Sequence, residues 1–234
     1  MQHRFARLAF LVALAVSATA CDDDDPVQPD PDPALLRIVN AADVEDVQLA
    51  IAGTTTPLAQ DLDFRDFTQA CVEVPAGQQT LTFSSSGIEL ATTAFTFEED
   101  ERYTAFLVAS GPTRRAVIRP DDEVASTDNN ALRLINATTT AGDIYVTAPG
   151  DTPGPSFLAG GNIGPLATGN DAPAYVHRST QHTQVRLFDP GVTDGTPRAD
   201  FALTGLPTSR LATVVITEAG TPAGPTAFMV TPCP

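Results

Sequence analysis

Apolar and polar positions alternate with a period of two over short runs along most of the chain. Val47, Leu49 and Ile51 are interleaved with Asp46, Gln48 and Ala50, and Leu81 and Phe83 with Thr80 and Thr82. This period puts successive side chains on opposite faces of an extended chain, so each run predicts a half-buried strand. Arg102 to Ala109 and Arg114 to Arg119 are also rich in strand formers and close on Gly or Pro. Turn chemistry separates the runs at Pro75-Ala76-Gly77, Ser86-Gly87 and Ser110-Gly111-Pro112. No segment carries a helical stripe, and many short strands between turn signals predict an antiparallel sandwich.

One stretch occurs twice. Leu36-Arg37-Ile38-Val39-Asn40-Ala41 returns as Leu132-Arg133-Leu134-Ile135-Asn136-Ala137, each time followed by a polar stretch and an alternating run. Later segments echo one another as well: Val72 to Val74 with Val176 to Arg178, Leu81 to Phe83 with Val185 to Leu187, and Arg102 to Val108 with Arg210 to Ile216. A unit used twice predicts an all-β chain of two tandem antiparallel Greek-key β-sandwich domains, immunoglobulin-like or transthyretin-like. The first spans residues 35–120 and the second 131–234, with the polar, acidic segment 121–130 as linker.

Ahead of the first unit, residues 1–20 have the organisation of an export signal. His3, Arg4 and Arg7 form a basic start, Leu8 to Val16 an apolar core, and Ser17 to Ala20 a small-residue cleavage region. The core is too short for a transmembrane helix, which needs about 20 residues. Ala18-Thr19-Ala20-Cys21 resembles a bacterial lipobox, which implies acylation of Cys21 after cleavage. Residues 21–34 follow as an acidic tether. Asp22 to Pro33 holds six Asp and four Pro, so it has little to bury and acts as a semi-rigid spacer. Consecutive Asp without a Gly turn or a bidentate Glu does not make a calcium loop.

Charge and composition narrow the chemistry. With a formal net charge of −16, no nucleic acid partner is expected, because polyphosphate binding needs clustered positive charge. All thirteen basic residues are Arg, so Ser/Lys dyads, Schiff bases and Lys–Asn cross-links are excluded. His177 and His182 are the sole histidines after the signal, and no zinc spacing or Gly-x-Ser-x-Gly elbow accompanies them. They are expected on the surface flanking a turn at Ser179-Thr180, and no metal or other cofactor is expected. Asn40 and Asn136 close the repeated strand and are expected to build corners, while Arg37 and Arg133 are expected to be paired or solvent-facing. The Gly- and Pro-rich stretch Pro149 to Pro173 is the candidate ligand surface, because a connection this long is either functional or merely mobile. Once Cys21 is acylated, Cys71 and Cys233 remain as an even pair suited to an oxidising compartment, and a disulfide between them is expected.

A family resemblance rests on Leu-Arg-Ile-Val-Asn-Ala from Leu36, Val-Gln-Leu-Ala-Ile-Ala-Gly from Val47, and Cys-Val-Glu-Val-Pro-Ala-Gly-Gln-Gln-Thr-Leu from Cys71. This pattern resembles the bacterial domain of unknown function 4397. The resemblance implies an exported or lipid-anchored envelope protein, often with tandem copies, and supplies no catalytic residue. The expectation is a non-enzymatic module held on a membrane at Cys21, facing the periplasm or the exterior, with envelope protein or polysaccharide as partner. A hydrolase using paired carboxylates and a mechanical spacer without ligand are the alternatives. The hydrolase would need two carboxylates about 5–9 Å apart in a concave site.

Overall fold

The computed structural model describes residues 31–110, 113–121, 130–152, 158–163, 175–178, 181–192, 194–203, 211–218 and 224–233. The signal, Cys21, most of the tether, the centre of the 121–130 segment and most of the Pro149 to Pro173 stretch lie outside the described residues. From Pro31 onward the chain forms one compact unit. It is all-β among the described residues. The first eight strands are β1 (Ala34–Asn40), β2 (Val47–Ile51), β3 (Ala59–Leu62), β4 (Val72–Val74), β5 (Gly77–Ser85), β6 (Ile88–Phe97), β7 (Arg102–Ser110) and β8 (Thr113–Pro120). The next eight are β9 (Asn130–Asn136), β10 (Gly142–Thr147), β11 (Leu158–Ile163), β12 (Val176–Arg178), β13 (Gln184–Phe188), β14 (Ala199–Ala202), β15 (Leu211–Glu218) and β16 (Pro225–Val230).

These strands make four four-stranded sheets, two from each half of the chain. In the first half they are β4-β1-β7-β8 (sheet A) and β3-β2-β5-β6 (sheet B). In the second half they are β12-β9-β15-β16 (sheet C) and β11-β10-β13-β14 (sheet D), the same order position for position. The expectation of purely antiparallel sheets is corrected at two places: β1 runs parallel to β7, and β9 parallel to β15. Parallel neighbours need a long crossover. Here the chain builds the facing sheet before returning, which supplies one.

Three apolar cores hold the layers. Leu36, Ile38, Ala105 and Leu107 of sheet A pack with Leu49, Leu81, Phe83 and Phe97 of sheet B. Leu132, Leu134 and Val214 of sheet C pack with Ile144, Val185 and Leu187 of sheet D. The third core joins the halves: Val39, Phe106, Val108 and Val117 of sheet A meet Ile135, Val215 and Val230 of sheet C. The layer order is therefore B-A-C-D, and sheets A and C are covered on both faces. That explains why β1, β9 and β15 read as near-continuous apolar runs while β5 and β6 alternate.

Gly142 at the start of β10 illustrates how closely the second pair of sheets is packed. A Cβ there would sit 2.5 Å from Leu187 Cδ1 and 2.8 Å from the carbonyl oxygen of Phe188. Only glycine lets β10 approach β13 at this point.

Candidate functional site

The repeated strand ends in a corner built by its asparagine. Asn40 Nδ2 donates to the carbonyls of Val44 at 2.7 Å and Leu62 at 3.0 Å, and its Oδ1 accepts from Ala42 N at 3.1 Å. Asn136 repeats the arrangement, donating to Thr140 O at 3.0 Å and accepting from Thr138 N at 3.0 Å. Both side chains are fully buried and occupied with their own loop. They serve architecture.

Arg37 and Arg133 lie on the opposite face of the same strands, in the layer between sheets A and C. Arg133 is 2% exposed, and its Nη2 meets Asp121 Oδ1 at 2.6 Å. It also donates to Thr213 Oγ1 at 3.1 Å and to the Pro120 carbonyl at 2.8 Å. Its guanidinium stands over the rings of Phe106 and Tyr175, at 5.8 and 4.8 Å from the centroids. Asp121 completes its shell with Thr104 Oγ1 at 2.5 Å and Tyr175 OH at 3.3 Å. Burial pushes the Tyr175 phenol well above its ordinary range, against the opposing pull of Arg133.

Arg37 ties the same layer to the end of the chain. It donates to the carbonyls of Thr68, of Gln69 at 2.9 Å and of Pro232 at 3.4 Å. Burial lowers its pKa, and the Asp121 carboxylate pulls it back up. One residue beyond Pro232, Cys233 forms a disulfide with Cys71, across a Cα–Cα distance of 5.9 Å and a sequence separation of 162. Cys71 precedes β4 at the edge of sheet A and Cys233 follows β16 at the edge of sheet C, so the bridge staples the two inner sheets together.

Among the described residues the charged and hydroxyl groups of this layer pair with one another or with backbone carbonyls, while Arg37 Nε has no hydrogen-bond partner. The layer is a joint, and the sequence pointed only to part of it. Asp121 reads as the first residue of an acidic linker, yet it is 2% exposed and is the counterion of the joint.

Exposed carboxylates come together elsewhere. A hydrogen bond with Asp63 raises the Glu45 carboxyl above its ordinary range, against a lowering backbone bond from Phe64. Both acids lie on exposed loops, so this pair lacks the concave setting that glycoside hydrolysis requires. Of the histidines, the backbone of His177 pairs with Ala131, and His182 is half-buried after a turn at Gln181. Among the described residues no three His, Cys, Asp or Glu converge as a metal site.

The outer face of sheet D carries a concave site with mixed chemistry. An open cleft of about 390 Å³ is lined by Asp151, Thr152, Arg186, Phe188, Asp194 and Asp200, with Gly195 and Pro197 at its margin. Asp151 and Thr152 belong to the start of the Pro149 to Pro173 stretch. Arg186 is its organising cation: Nη1 donates to Asp151 O at 2.6 Å, Nη2 to Gln184 Oε1 at 2.6 Å, and Nε stands 3.5 Å from Asp200 Oδ2. Gln184 Nε2 donates to Asp200 Oδ1 at 2.6 Å. Beside the cleft, the Tyr145 ring meets Phe188 edge-on at 5.7 Å, and burial together with Asp143 pushes the Tyr145 phenol up.

Residues 34–147 match the family model described as domain of unknown function (DUF4397). The match begins at the first residue of β1 and ends at the last of β10, so it takes in the whole first half and the repeated strand of the second. No curated protein matches the chain.

Proposed function

For a chain that belongs, through residues 34–147, to the DUF4397 family, we propose the role of a non-enzymatic, surface-presenting module of the bacterial cell envelope. It is held on a membrane by acylated Cys21, and its two halves are Greek-key sandwiches of immunoglobulin-like or transthyretin-like kind. The joint carries this proposal. Two sandwiches that share a core, a buried ion pair and a disulfide cannot hinge against each other, so the outer faces of sheets B and D keep a fixed separation and orientation. A body built to hold two faces rigidly apart at the end of a spacer suits display or bridging. The disulfide agrees with an oxidising compartment outside the cytoplasm.

Labelling of producing cells with a fatty acid tests the anchor. Label is expected on the wild-type chain and lost in Cys21→Ser, with release from the membrane fraction. An unlabelled, soluble wild-type protein would reject the anchor. The competing hydrolase is tested by incubating the purified chain with envelope polysaccharide and following new reducing ends. Turnover abolished by carboxylate substitution would replace the non-enzymatic role.

A further inference from the structure

We infer that the cleft on the outer face of sheet D is a binding site for a neutral carbohydrate; the inference deepens the surface-presenting role and rests on it. The cleft has a size within the roughly 300–1,000 Å³ range of small-ligand sites. Its character separates the two halves. The corresponding face of sheet B presents half-buried Gln48, Thr80 and Thr82 and exposed Thr92 and Thr96, with the Thr82 and Thr92 hydroxyls bonded to each other at 3.1 Å. The face of sheet D has instead Asp143, Tyr145 and Thr147 on β10 and Gln184, Arg186 and Phe188 on β13, paired in register.

Among the described residues, two buried polar atoms on that sheet face have no hydrogen-bond partner, Asp143 Oδ1 and Thr147 Oγ1, and Arg186 Nε has only its 3.5 Å ion pair with Asp200 Oδ2. Asp143 is 7% exposed and Thr147 fully buried. Buried polar atoms are nearly always satisfied, so an acceptor and a hydroxyl left over on the sheet face that carries the cleft, outside its lining, are polar positions that the chain itself does not pair. Arg186 belongs to the cleft lining itself, and Phe188, the register partner of Asp143, lines it too.

Charge selects among guests. Three carboxylates against one guanidinium, in a chain of net charge −16, repel phosphates, sulfates and uronates. The central guanidinium in turn disfavours a bare cation. With polar groups making up most of the lining, an apolar ligand would strand them unpaired. A sugar hydroxyl donates and accepts at once, and the Arg186–Asp200 pair with Gln184 offers donors and acceptors side by side.

The test uses the full chain in detergent micelles and three uncharged probes, hexamers of β-1,4-glucose, α-1,4-glucose and N-acetylglucosamine, with hexagalacturonate as the anionic comparison. Titration calorimetry is expected to show at least one neutral hexamer bound and left uncut, and hexagalacturonate not bound. Arg186→Met and Asp200→Asn are expected to weaken that binding at least tenfold, while Thr82→Ala on sheet B leaves it unchanged. Asp200 is partly exposed, so its substitution preserves the fold and decides the matter if Arg186→Met melts early. Absence of binding by all three neutral probes, preference for the anion, or survival of binding in Asp200→Asn would overturn the inference and leave the envelope role standing. Cleavage of a bound hexamer would instead overturn the non-enzymatic role.

Discussion

Asp121→Leu is the substitution to which the architecture is most exposed. Asp121 is the counterion for Arg133 and accepts from Thr104 and Tyr175, in a layer where both Arg133 and Arg37 are buried. Its removal leaves two guanidiniums in a space closed by Val39, Phe106, Ile135 and Val215. Breaking one partner of a buried pair costs about 3–5 kcal/mol, because the stranded charge keeps its desolvation penalty. Arg133 retains the Pro120 carbonyl, Thr213 and two aromatic rings, which places the expected loss near the lower end, about 3 kcal/mol. Against a typical total stability of about 5–15 kcal/mol, that is a large share.

Guanidinium chloride unfolding at neutral pH, with the disulfide intact, measures the loss. Far-ultraviolet dichroism reports all sheets, and a tyrosine signal compared with that of a Tyr175→Phe control reports the joint. The wild type is expected to unfold in one transition. Asp121→Leu is expected to unfold earlier, with the joint signal lost ahead of the sheets. Removing the second charge as well, in Asp121→Leu/Arg133→Met, is expected to recover most of the stability, since an apolar replacement strands nothing. A loss below about 1 kcal/mol for the single variant, the scale of a surface ion pair, would refute a buried joint. So would a double variant as unstable as the sum of the two single ones.

The disulfide, the phenols and the exposed acid pair each give a further expectation. Cys71→Ser/Cys233→Ser is expected to lower stability by up to about 5 kcal/mol, as the entropy model gives for a loop of 162 residues, measured in the same unfolding assay. Loss below about 1 kcal/mol would mean the joint alone fixes the chain end. In alkaline spectrophotometric titration Tyr145 and Tyr175 are expected to ionise above the ordinary phenol value of about 10. Their folded pKa is raised, so the stabilisation is full below about pH 10 and is lost as pH rises through the folded values, and melting temperatures should fall there. Carbon-detected titration of Glu45 is expected to show a raised pKa that falls back in Asp63→Asn; an unchanged value would deny the hydrogen bond between the two.

How much of this was legible in the chain can be seen at the repeat. Alternation in Val47 to Ile51 and Leu81 to Phe83 marks strands with one buried face, and those lie in the outer sheet B, as the period requires. Leu36 to Ala41 and Leu132 to Ala137 lack strict alternation, and Leu211 to Glu218 lacks it as well. That departure was the available signal for a third core, because a strand buried on both faces has no polar row to show. Asp121 gave no such signal. It sits at the start of an acidic run, and a charge is placed inside by the partners that tertiary structure brings, here Arg133 from twelve residues on and Tyr175 from 54. The cleft was legible only in its loop: Asp151 and Thr152 fall in the stretch singled out by length and composition, whereas Arg186 and Asp200 look like ordinary solvent-facing strand residues.

The like strand order of the two halves also poses an electrostatic problem that the joint solves asymmetrically. When two halves of like strand order pack through the same face, each half's strand arginine enters one shared layer, and two buried guanidiniums of like charge cannot be left to face each other. A single carboxylate, Asp121, comes from the chain just after β8, where the first unit ends, and serves Arg133 directly while favouring the charged form of Arg37 at a distance. The remaining positive charge is met by backbone dipoles, since the Nη atoms of Arg37 donate to the carbonyls of Thr68, Gln69 and Pro232. The two copies of one residue have thus taken different partners, and the second of these partnerships holds the chain end beside the Cys71–Cys233 bridge. The same segment that looks like a spacer between halves is therefore what allows the halves to share a core.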